Sequence, residues 1–105
     1  MRDLEILHLV KNSLAQLSQI APGRAIEVRV PPYAAIQCGA GPTHTRGTPP
    51  NVIEMDAQTW LALASGAQSW NQAFTTGAIR ASGSRADLSA YLPLPSSSID
   101  AQERK

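Results

Sequence analysis

Proline and glycine decide where this chain can and cannot run straight. Pro22-Gly23 and Pro31-Pro32 break it twice early. Gly39, Gly41, Pro42, Gly47, Pro49 and Pro50 crowd one short stretch. Gly66, Gly77, Pro93 and Pro95 interrupt the second half. Proline lacks the amide donor that helices and central strands need, and glycine takes left-handed backbone cheaply. Long elements are therefore excluded after residue 21, and the pieces between the breaks must be short helices and strands.

The first piece, residues 3–21, reads as an amphipathic helix. Leu4, Leu7, Val10, Leu14 and Leu17 recur at spacings of three and four, with Glu5, Asn12, Gln16 and Gln19 largely elsewhere. Asp3 is its expected N-cap, and Pro22-Gly23 its stop. In residues 25–30, Ile26, Val28 and Val30 alternate with Glu27 and Arg29, which predicts a strand with one buried face. Residues 33–38, "YAAIQC", form a weaker strand candidate, because alanine is a poor strand former. Residues 39–50 read as turns, with a short strand around Thr43–Arg46, and "NVIEMD", residues 51–56, is the next strand.

Asp56 is placed to cap a helix carrying Trp60, Leu61 and Leu63, which Gly66 ends. Ser69 and Gln72 have the spacing of a capping box opening a short helix with Trp70, Ala73 and Phe74. Gly77 ends that one, and residues 78–82 read as a last strand. Ser84 and Asp87 repeat the capping pattern before Leu88, Tyr91 and Leu92. Residues 1–95 are read as one domain, and the polar tail 96–105 as disordered. Strands in the middle with helices around them predict an α+β fold, with helices on one sheet face.

Composition narrows the function. The chain has 105 residues, enough for one small domain and one core. Its net charge of +1 is too small to argue for nucleic acid or an anionic membrane surface. One cysteine excludes an intrachain disulfide. Asp3, Glu5 and Lys11 interrupt the first apolar stretch, so it does not read as a secretory signal. No run reaches the roughly 20 apolar residues of a membrane span. The expected location is the cytoplasm.

The stretch Asp56–Leu94, "DAQTWLALASGAQSWNQAFTTGAIRASGSRADLSAYLPL", resembles the C-terminal half of the sterol carrier protein family. Trp60, Leu63, Gly66, Ala73, Gly77, Ile79, Ser82 and Gly83 fall on the marks of that pattern. The preceding "RVPPYAAIQC" and "HTRGTPPNVIEMD" look like the actinobacterial members. The resemblance covers most of residues 20–94. It implies a five-stranded mixed sheet covered by helices, and an apolar site between sheet and helices that holds or transfers a lipid or other apolar small molecule. It does not imply sterol. Related domains also occur within mycothiol-dependent maleylpyruvate isomerases.

This chain departs from the longer animal members, whose C-terminal part helps close a lipid tunnel; after Leu94 it is short and polar. An empty lipid-sized cavity of about 300 Å³ would cost about 7 kcal/mol, against a total stability of about 5–15 kcal/mol. An open groove, a filled pocket or a site completed by a partner chain is therefore expected.

The expected ligand wall is Trp60, Trp70 and Phe74, with Ile36, Leu63 and Met55 opposite, and Arg46 for a headgroup or carboxylate. Plain core is the competing reading of the aromatics. Arg80 and Arg85 flank the "SG" turn and read as solvated. Cys38, His44 and Asp56 could be imagined as nucleophile, base and orienter, but nothing in their local sequence supports it. The loop "PTHTRGTPPN" lacks the lysine of a phosphate loop and reads as a strand edge and turn. No cofactor or metal site is read. Three function classes remain, in this order: binding of an apolar or amphipathic small molecule, an interaction module joining a protein partner or a second copy, and an enzyme or detached enzyme domain acting through His44, Arg46 or Cys38.

Overall fold

The computed structural model describes residues 3–41 and 51–95. The elements run α1 (Asp3–Ile20), β1 (Ile26–Val30), β2 (Ala34–Cys38), β3 (Asn51–Glu54), α2 (Ala57–Ser65), α3 (Trp70–Thr75) and β4 (Arg80–Ser82), followed by a one-turn 3₁₀ helix at Ser89–Tyr91. The sheet order is β2-β1-β3-β4. β1 pairs antiparallel with β2 and parallel with β3, and β4 is antiparallel to β3.

The mixed sheet with helices agrees with the expected α+β class. The strand count differs: the described residues form four strands, where five were expected. The short strand expected at Thr43–Arg46 and the tail 96–105 lie outside the described residues.

Period-two alternation sorts the sheet's faces. Ile26, Val28 and Val30 of β1 stand beside Cys38, Ile36 and Ala34 of β2 and, on the other side, Asn51 and Ile53 of β3. This inner face meets Val10, Leu14 and Leu17 of α1 and Trp60 and Leu63 of α2 in one buried cluster. Glu27, Arg29, Glu54 and Arg80 point the other way. Glu27 pairs with Arg29 at 3.1 Å and Glu54 with Arg80 at 3.0 Å. The outer face is thus a charged ladder with a shallow depression lined by strand and turn residues alone.

Local signals set the helix ends. Asp56 Oδ1 accepts from the Thr59 amide at 2.8 Å, as expected of the cap. Gly66 closes α2 at φ 89°, where a side chain would be strained. The capping box is complete: Ser69 Oγ accepts from the Gln72 amide and Gln72 Oε1 from the Ser69 amide. Two expected caps differ. Asp3 is itself helical. At the final turn the expected Ser84–Asp87 capping pair does not form: Leu88 is the N-cap of the 3₁₀ turn, without a side-chain cap, and the Asp87 carboxylate accepts from the Ser89 amide at 2.8 Å.

Asn51 is buried and joins three parts of the chain. Its Nδ2 donates to the Ala25 carbonyl at 2.8 Å, and its Oδ1 accepts from the Arg85 amide at 2.8 Å. The start of β1, the start of β3 and the turn after β4 are held by this one amide.

Candidate functional site

α1 and α2 lie side by side. Trp60 of α2 donates its indole N–H to Ser13 Oγ of α1 at 2.7 Å. One turn further along each helix, a strap formed by Leu94 and Pro95 bridges them. The Leu94 amide donates to the Ala64 carbonyl at 3.0 Å, and Gln16 Nε2 donates to the Pro95 carbonyl at 3.2 Å.

Between the helices is an open groove of about 570 Å³. Leu9, Leu61, Ala64 and Leu94 give it apolar walls, and Asn12, Ser13, Gln16 and Ser65 give it polar points. Its volume falls in the range of about 300–1,000 Å³ usual for small-molecule sites. Leu9 is 46% exposed, a large apolar side chain left at the rim. Ser13 forms part of the floor. Its hydroxyl donates to the Leu9 carbonyl at 2.6 Å while accepting from Trp60, so the indole nitrogen is satisfied.

The residues expected to form the ligand wall are divided by the structure. Trp60 and Met55 are buried in the core, Trp60 with no exposed surface. Ile36 is half-buried on β2, beside Val28. Leu63 and Trp70 share a second depression of about 340 Å³ with Gly66, Leu92 and Pro93. Phe74 is 54% exposed and stacks on Trp70, with ring centroids 6.5 Å apart. Arg46 lies outside the described residues. The region between sheet and helices is filled by Trp60, Leu14, Leu17, Ile53, Leu88 and their neighbours, and the large groove opens between the two helices instead.

The groove's α1 side escaped the sequence reading. The signal was present: Leu9 is apolar but off the Leu4–Leu7–Val10–Leu14–Leu17 stripe, and Ser13 is a hydroxyl placed between Val10 and Leu17 on that stripe.

Of the imagined catalytic trio, the described residues include Cys38 and Asp56. Cys38 is fully buried on the inner sheet face, and desolvation pushes its thiol up to about 11, away from thiolate. The Asp56 carboxylate is engaged as the α2 cap. His44 lies outside the described residues. Among the described residues no helix is long and apolar enough to cross a membrane.

The mixed sheet with helices on one face fits the α+β fold that the resemblance implies. The chain matches the family described as bacterial SCP ortholog over residues 3–94, and it belongs to that family. No curated protein matches it.

Proposed function

We propose that this protein binds an apolar or amphipathic small molecule of the lipid class, and that the groove between α1 and α2 is where it sits. The observation carrying this reading is the groove itself: about 570 Å³, with leucine and alanine walls, in a domain of a sterol-carrier-type family. The driving force is removal of the ligand's apolar surface from water. A fully buried methylene contributes about 0.8 kcal/mol, so a ten-carbon chain half covered by an open groove gains about 4 kcal/mol. That corresponds to a Kd of about 1 mM, tightened by any hydrogen bonds at the polar points.

A carrier is favoured over an enzyme here. The buried thiol is held protonated, and Asp56 is committed to a helix end. The cytoplasm as location, and transfer as well as binding, belong to the same reading.

The test is native mass spectrometry of the protein purified from its own host, with organic extraction, on wild type and Leu9→Glu. Leu9 is half-exposed, so the charge enters at the rim without breaking the core. A stoichiometric lipophilic mass in wild type that is lost in Leu9→Glu is the expected result. A mass retained by Leu9→Glu moves the ligand elsewhere. A clean apo mass, with no chemical-shift change at the groove residues on adding a ten-carbon amphiphile near its solubility limit, removes the binding reading.

A further inference from the structure

Resting on the reading of the α1–α2 groove as a ligand site, we infer that its ligand carries an uncharged, hydrogen-bonding head, such as an alcohol or amide, rather than a carboxylate or phosphate. Every described residue lining the groove is uncharged. An anionic head brought against these walls would lose water without meeting a cation.

The polar points match a neutral head in detail. Ser13 Oγ uses its proton on the Leu9 carbonyl and one lone pair on Trp60, which leaves it an acceptor. Ser65 Oγ donates to the Ala62 carbonyl at 3.3 Å and accepts from the Ala67 amide at 3.4 Å, so it too has only acceptor capacity left. Gln16 spends one amide proton on Pro95 and keeps the second, together with its oxygen. The Asn12 side chain makes no hydrogen bond among the described residues and offers both donor and acceptor. The groove is therefore richer in acceptors than donors. A hydroxyl or amide N–H finds partners there, whereas a carboxylate, which only accepts, meets the uncharged amide groups of Asn12 and Gln16 and no charged donor among the described lining residues.

Backbone polarity acts in the same direction. Ser65 is the last residue of α2, so the groove's strapped end meets the negative end of that helix. An anion placed there is repelled.

The experiment titrates decanol and decanoate separately into the full chain at pH 8 by isothermal calorimetry, in wild type, Leu9→Glu and Asn12→Lys. Decanol should bind at least tenfold more tightly than decanoate, and Leu9→Glu should weaken decanol. Asn12 is an exposed helical position that tolerates lysine. That variant should raise decanoate affinity at least tenfold, and no gain for decanoate overturns the inference. Decanoate binding as well as decanol, with both weakened by Leu9→Glu, overturns the head-group inference and leaves the groove reading standing. If neither probe binds wild type, the groove reading itself fails and this inference with it.

Discussion

The amide of Asn51 is the most sharply testable feature of the fold. It is buried, and it makes one bond as a donor to the Ala25 carbonyl and one as an acceptor from the Arg85 amide, both at 2.8 Å. Asn51→Ala removes both. The Ala25 carbonyl is then buried without a partner, at a cost of about 1–3 kcal/mol, and the lost Arg85 bond adds about 1 kcal/mol. The expected loss is about 3 kcal/mol, or about 10–25 °C in Tm for a domain of this size.

Asn51→Asp is the more discriminating change. The carboxylate still accepts from Arg85 but faces the Ala25 carbonyl with a second oxygen, so its ionised form is unfavourable and its folded pKa lies above the ordinary value of about 3.9. A group whose folded pKa is raised contributes stability that is present below the unfolded pKa and lost as pH rises through the folded one. Once protonated, the introduced carboxyl donates to Ala25 and restores both bonds. The deficit relative to wild type should therefore be below about 1 kcal/mol near pH 3.5 and at least about 3 kcal/mol at pH 7. Urea unfolding of both chains at matched pH values measures it. A deficit independent of pH, or an Asn51→Ala cost under about 1 kcal/mol, would refute the bridging role.

Two further outcomes follow from the helical layer and the sheet. Ser13→Ala leaves the buried Trp60 indole N–H unpartnered and should cost about 1–3 kcal/mol, while adding Trp60→Phe should cost less than the two singles summed; a double-mutant cycle by urea unfolding reads the coupling. Cys38, with its thiol pushed up to about 11, should resist iodoacetamide at pH 8 in the folded chain and react on unfolding. Because burial raises that folded pKa, stability should hold below about pH 9 and decline as pH approaches 11, and Cys38→Ala should flatten that slope.

What could be read in the sequence was what neighbours in the chain decide. Asp56 with Thr59, Ser69 with Gln72, and Gly66 act within one helical turn, so their spacing alone marked both ends of α2 and the start of α3. The alternation through Ile26–Val30 sorted that strand's faces correctly. Ser84 and Asp87 have the spacing of a capping pair, but the final turn starts later, at Leu88, so the spacing misplaced it. Phe74 lies one turn from Trp70 on the same helix face and stacks on it, yet only Trp70 is buried, because the core ends at the indole. Asn51 read as the polar first residue of a strand, because its partners lie 26 and 34 residues away. The groove was hidden for the same reason. Periodicity shows which face of a helix is apolar, but not which second helix stops short of covering it.

The groove between α1 and α2 draws its lining from residues 9–16, 61–65 and 94. No single one of these stretches makes a wall-to-wall site. The sheet's ladders use none of them, but the same two helices cover the sheet's inner face, so groove and core are built by one packing. A molecule that fits there recognises the finished arrangement and no part of it. Its residence ties the first helix to the Leu94–Pro95 strap, and occupancy becomes a report on whether the helical layer is in place.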